Sequence, residues 1–182
     1  MQLAVSQRLV IAIAAVFVLA VTATTSHAAG CRGADAHPGQ ASLKTLDRAT
    51  LCLMNSERVA HGRSRLHAAP SLTRAARRFA RTMVRRHFFD HTSPSGSTMI
   101  SRVRATAYLH RAGAYSLGEN IAWGGGSLGT PRAIVRAWMH SAGHRANLLN
   151  PRFRHVGVGI AAGVPPGGMA GGTYVTDFGT RH

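Results

Sequence analysis

The sequence predicts an α+β domain in which helices precede and flank an antiparallel strand pair. Three observations predict it. Residues 42–61 and 70–85 each carry apolar side chains at three- and four-residue spacing, the mark of helices with one buried face. Residues 156–161 and 173–179 are short extended runs separated by the Pro/Gly-rich stretch 163–172, the pattern of a hairpin. Further helical stretches lie between these two groups, which suits an α+β chain or an α/β/α layering.

The first segment is set apart from the fold. Arg8 precedes an unbroken apolar run at residues 9–21, and Ser26-His27-Ala28 places small residues at the −3 and −1 positions of a cleavage site. The run is shorter than the roughly 20 residues that a membrane helix needs. Residues 1–28 are therefore expected to be an export signal, and the mature protein to be secreted, free or associated with the cell envelope. Uncleaved, the same run would be an anchor. Ala29-Gly30-Cys31 partly mimics a lipid-acceptor site, but Cys31 lies some ten polar or small residues beyond the apolar run.

Removal of the leader leaves 154 of 182 residues, a length suited to one domain. Only Arg8 is lost among the charged groups, so the full-length charge of +16 becomes +15. Lys44 is the sole lysine; every other basic residue is arginine. Such a chain is drawn to anionic membranes and cell-wall polymers. Nucleic acid is not an expected partner, because the chain is exported and its aromatics do not interleave with the arginines as a stacking platform requires. Outside the cytosol, Cys31 and Cys52 can close one bridge around residues 32–51, which ties the segment 29–47 to the first helix. A loop of that size adds about 3 kcal/mol in the chain-entropy model.

The elements follow in order. Leu43, Leu46, Thr50, Leu53 and Met54 line the first helix, and Gly62 stops it. Pro70 and Ser71 open a second, with Leu72, Ala75, Ala76, Phe79, Ala80 and Met83 on one face and Arg74, Arg77, Arg78, Arg81 and Arg85 on the other. Turn residues at 87–96 break it. A short helix is expected at 97–107, a strand or buried extended segment at 117–123, a glycine loop at 124–126 and a helix at 131–140. Neither repeat nor linker divides the mature chain.

Candidate chemistry lies in the histidines and the few acids. His87/His91 and His140/His144 are each four apart, but Phe89-Asp90 and Gly143 argue that the helix is ending within each pair, against a helical two-histidine metal site. Only six acids exist. Asp35 and Asp47 suit surface or capping roles, and Glu57 with Arg58 suits a structural ion pair. Asp90, Glu119 and Asp177 lie in His-rich or aromatic neighbourhoods. Glu119, inside the apolar stretch Gly118-Glu119-Asn120-Ile121-Ala122, must be paired with an arginine or have a functional role, because a lone buried carboxylate is costly.

Leu53-Met54-Asn55-Ser56-Glu57-Arg58, Phe89-Asp90-His91-Thr92-Ser93-Pro94, the Glu119 segment, Trp138-Met139-His140-Ser141-Ala142-Gly143-His144-Arg145-Ala146-Asn147-Leu148-Leu149, Val156-Gly157-Val158-Gly159 and Tyr174-Val175-Thr176-Asp177-Phe178-Gly179 occur in that order. The ordered set resembles the bacterial branch of the CAP superfamily (cysteine-rich secretory proteins, antigen 5 and pathogenesis-related 1; SCP-like extracellular domains). The resemblance spans residues 48–182. It implies an α/β/α sandwich with a central antiparallel sheet flanked by helices, and a cavity holding two His and two Glu that binds a divalent metal in some members. His91, Glu119 and His144 match three of the four; Ser141 stands at the second Glu, and Asn147 where eukaryotic members usually place Gln. Without that second acid a hydrolytic carboxylate pair is lacking, unless Asp177 substitutes. A Ser141/His144/Glu119 nucleophile set can be written, though Ser and His three apart rarely reach triad geometry.

No residue is assigned a catalytic role. The expectation is a monomeric, secreted, non-catalytic binding protein with a groove for a small apolar or anionic, lipid-like ligand. No cofactor is required; His91 and His144 are the candidate ligands of a divalent metal, zinc foremost. The alternatives are a metal-dependent hydrolase of a cell-envelope polymer or peptide, and an envelope interaction protein working through its basic surface.

Overall fold

A computed structural model describes residues 30–182, so the leader read at 1–28 lies outside the described residues. Helix α1 (Leu43–Ala60) starts where the Ser42 hydroxyl accepts a hydrogen bond from the Thr45 amide. A two-residue strand β1 (His67–Ala68) leads into α2 (Pro70–Arg85), which carries proline in its first turn, where no amide is needed. Then come α3 (Met99–Arg104), a 3₁₀ turn at Ala107–Leu109 and strand β2 (Tyr115–Gly125). Helices α4 (Pro131–Met139) and α5 (Ala142–Leu148) precede β3 (His155–Ala162) and β4 (Gly171–Arg181).

The sheet order is β1-β3-β4-β2. The three long strands are antiparallel, and β1 joins β3 in parallel at one edge. The expected sandwich holds, with that parallel edge added. Alternation along β3 builds the layers. Val156, Val158 and Ile160 face the core shared with α1 and α4, including Leu46, Leu53 and Trp138. On the other face Gly157 and Gly159 lie under α2, where a Cβ would stand 2.1 Å from the Leu72 carbonyl carbon and the Arg77 nitrogen respectively. Only glycine lets the helix backbone rest directly on the strand. Phe79, Ala80 and Met83 then pack on Ile121, Ala161 and Val175.

Several boundaries differ from the sequence expectation. The expected loop at 124–126 is partly strand, because β4 extends back to pair Gly172 with Gly124 and Gly171 with Gly125. The expected helix 97–107 shortens to α3, with Thr106 capping the separate 3₁₀ turn. Helix α5 was hidden by Gly143, and β1 is too short to show periodicity. The Glu57–Arg58 ion pair does not form. Glu57 instead lies 3.9 Å from His61. Arg58 is fully buried and donates to the carbonyls of Ser64, Leu148 and Asn150, joining α1 to the end of α5.

Cys31 and Cys52 form the expected disulfide, with Cα atoms 5.7 Å apart. It fixes the N-terminal segment to α1 and leaves no Cys31 thiol for a lipid. Among the described residues no helix is long and apolar enough to cross a membrane.

Candidate functional site

Glu119 is the centre of the site. It lies on the edge strand β2, and its carboxylate is almost completely enclosed, with 2% of the side chain exposed. Each oxygen has its own partner: Oε1 is 2.8 Å from His91 Nδ1, and Oε2 accepts from Arg102 at 2.6 Å. The need for a partner, argued from the cost of burial, is met by both a histidine and an arginine.

Arg102 reaches this position from α3 and holds the surrounding loop. Its guanidinium donates to the carbonyls of His91 at 3.0 Å and Ser97 at 2.7 Å, and lies over the Phe79 ring at 3.4 Å from the centroid. Only 9% of the side chain is exposed. One residue thus pins the 91–97 loop, the edge strand and α2 together. The sequence contained no signal that would single out Arg102 among so many arginines.

Asp177 faces Glu119 directly across the β2–β4 ladder and is fully buried. Neither of its carboxylate oxygens has a hydrogen-bond donor among the described residues. Burial first, then the negative charge of Glu119, hold its carboxyl well above the usual carboxylate range. Asp177 is therefore biased towards its neutral acid form, a poor stand-in for a second ionised carboxylate.

His91 is more exposed, with 55% of its side chain open to solvent. The hydrogen bond to Glu119 raises its pKa above the ordinary histidine value. His144 enters from α5, and its Nδ1 is 2.9 Å from the Ser141 hydroxyl. Burial, and then the charge of His91, lower its pKa. Asn120 and Asn147 lock this side: Asn120 donates to the His144 carbonyl, and Asn147 donates to the Glu119 carbonyl and to Asn120 Oδ1. Gly118 is needed beside them, because a Cβ there would fall 2.9 Å from the Phe153 ring.

The four residues expected in the cavity form two pairs, His91 with Glu119 and His144 with Ser141, and none of them lines either of the two cavities beside α2. Glu119 orients His91 rather than His144, so the hydrogen bonds do not link Ser141, His144 and Glu119 into a triad. In both histidines Nδ1 is engaged, and Nε2 has no hydrogen-bond partner among the described residues. The four-residue histidine spacings share no helix: α2 ends before His87, and α4 ends before His140 while α5 begins after it. Among the described residues, no group of three or more His, Cys, Asp or Glu side chains converges as a metal cage.

Two cavities flank α2. An open groove of about 580 Å³ runs along its outer face, lined by Arg74, Arg77, Arg78, Arg81 and Arg85 over Leu43, Val84 and Ala161. Arg77 is paired with Asp47, and Arg74 with the Ser71 hydroxyl. A smaller cavity of about 290 Å³ lies between α2 and the 93–106 segment.

A layered helix–sheet–helix domain with a histidine-bound glutamate on its edge strand defines an SCP-like module, and the comparisons agree. The family model for the cysteine-rich secretory protein family, CAP, matches residues 51–168. The chain belongs to that family. It is 35% identical over 118 residues to the uncharacterized protein YkwD of Bacillus subtilis, covering 65% of this chain and 43% of that one. It is 30% identical over 116 residues to the uncharacterized membrane protein YlbC of the same organism, covering 64% and 32%. The chain thus spans less than half the length of these curated relatives. Among solved structures, an outer surface protein of Borrelia burgdorferi aligns with a TM-score of 0.64 at 19% identity, over 78% of this chain and 97% of that one. An extracellular SCP-domain protein of Bacillus anthracis aligns with a TM-score of 0.58 at 24% identity, over 76% and 43%. At these identities the structural likeness establishes the fold.

Proposed function

We propose that this chain is an exported binding protein, which holds anionic, lipid-like ligands or envelope polymers through the arginine groove of α2. The observation that carries the reading is the groove itself: five arginines rim an apolar floor of Leu43, Val84 and Ala161. Cationic rims attract phosphate or carboxylate headgroups, while an apolar floor accepts the first methylenes of a chain. The extracellular and outer-surface descriptions of the structural neighbours, with the leader expected at residues 1–28, support action outside the cell. Binding to phosphatidylglycerol vesicles should fall steeply as salt rises, because exposed charges are screened beyond about 8 Å at physiological ionic strength. Salt-insensitive binding, or no binding at low salt, would overturn the reading.

The His91/His144 pair adds a divalent-metal function in the same proposal, with zinc the favoured ion. The support is that each ring has its Nδ1 held by a hydrogen bond, which leaves Nε2 as the nitrogen a metal would take. A carboxylate behind a ligating histidine fixes ring orientation and increases ligand basicity. With two protein nitrogens, water would complete the coordination. Zinc would act there as a Lewis acid. Calorimetric titration of wild type should show zinc binding that is lost in His91→Ala and His144→Ala and kept in the control His110→Ala. Affinity should fall as pH drops through the raised His91 pKa, since a ligating imidazole must be deprotonated. Equal loss in the control would reject the site.

Hydrolysis is the weaker reading. Both oxygens of Glu119 are committed and Ser141 occupies the second acid position, so this carboxylate is poorly placed to take a proton from water.

A further inference from the structure

The cavity of about 290 Å³ between α2 and the 93–106 segment is not used in the reading above, although Arg78 and Arg85 border both it and the groove. It lies at the small end of ligand-pocket sizes, which begin near roughly 300 Å³. Its walls are chemically one-sided. Arg78, Arg85 and Arg86 approach from α2 and its C-cap, and Arg102 from α3, with no acidic residue in the lining. The guanidinium groups of Arg78, Arg85 and Arg86 have no hydrogen-bond or ion-pair partner among the described residues. Arg102 adds a buried Nε that also lacks a partner, on a side chain nine-tenths enclosed.

The opposite wall is built from hydroxyls. The 93–97 turn closes on itself: the Ser97 amide donates to Ser93 Oγ at 3.0 Å and the Gly96 amide to the Ser93 carbonyl at 2.8 Å. That fold-back directs Ser95 and Ser97 into the lining. Ser95 Oγ has Ser93 Oγ as its partner at 3.0 Å, which leaves hydrogen-bonding capacity towards the cavity. Arginine forks match the oxygens of a phosphate in pairs, and serine hydroxyls supply further donors.

We infer that this cavity is a discrete site for a phosphate group carried on a small polyol, such as glycerol phosphate. The size admits a phosphate and a short carrier but no acyl chain. It is a stoichiometric pocket, distinct in kind from the salt-screened attraction along the outer groove, although Arg78 and Arg85 border both. The two can be separated, since Arg86 lines the pocket and not the groove, whereas Arg74 and Arg81 line the groove and not the pocket.

The test is calorimetric titration of the exported chain with sn-glycerol 3-phosphate. One site per chain is expected. Arg86→Gln and Ser95→Asp should weaken it at least tenfold, and the groove variants Arg74→Gln and Arg81→Gln should change it less than twofold. Both pocket positions are exposed, and thermal melting of each variant verifies that the fold is retained. The source of the phosphate is read by competition: vesicles of phosphatidylglycerol that displace glycerol 3-phosphate assign the site to a lipid headgroup, and failure to displace it assigns a soluble phosphate. Absence of a saturable site in wild type, or equal losses in the groove variants and the pocket variants, overturns the inference. Loss of vesicle binding in Arg74→Gln with glycerol 3-phosphate titration intact concerns the groove alone.

Discussion

Arg102 and Glu119 are each nearly enclosed, so neither tolerates loss of the other. Arg102→Ala should destabilise the protein by up to about 3–5 kcal/mol, the range for a broken buried ion pair, because it leaves only His91 to compensate the buried Glu119 carboxylate. A thermal melt checks this; a change within error would mean that water reaches Glu119. Asp177 makes the opposite case. Its raised pKa means that the folded state binds the proton more tightly than the unfolded chain, so its contribution is full at low pH. That contribution is lost as pH rises from the unfolded carboxylate value through the folded one. Asp177→Asn should remove this decline and leave the melting temperature at neutral pH equal or higher. A strongly lowered melting temperature would show that the ionised carboxylate is needed. The sequence made Glu119 legible as a paired buried acid, through the apolar residues around it. It did not make Arg102 legible, because selection of one arginine requires the three-dimensional path of α3.

The elements were legible where periodicity is long. Helices α1, α2 and α4 and the three long strands lie where residue spacing placed them, to within a few residues. The errors share a cause: Gly124 and Gly125 look like loop in isolation and become strand because β4 supplies partners, and Gly143 hid a seven-residue helix. Glycine is also the strongest constraint between elements. Gly159→Ala would drive a Cβ into the α2 backbone at Arg77, and should cost about 3 kcal/mol, at the upper end for overpacking. Gly143→Ala, with open space around its added Cβ, should be neutral or stabilising by up to about 1 kcal/mol. Denaturant melts of the two variants check the pair. Equal stabilities would mean that α2 lifts from β3 at little cost.

At the level of the whole molecule, α2 presses an apolar face on the sheet and turns its arginines outward. The charge excess and the amphipathic helix were visible in the sequence, and so was the pairing of its two cysteines. The two cavities on either side of α2 were not, since a cavity is defined by what neighbouring elements leave unfilled. The most direct measurement of the proposed binding role is co-sedimentation with phosphatidylglycerol vesicles at low salt. It compares wild type with the groove variant Arg74→Gln/Arg81→Gln and the histidine variant His91→Ala/His144→Ala. The bound fraction should drop at least several-fold in the arginine variant and remain near wild type in the histidine variant. Retention by the arginine variant, or loss confined to the histidine variant, would contradict a binding function centred on the groove.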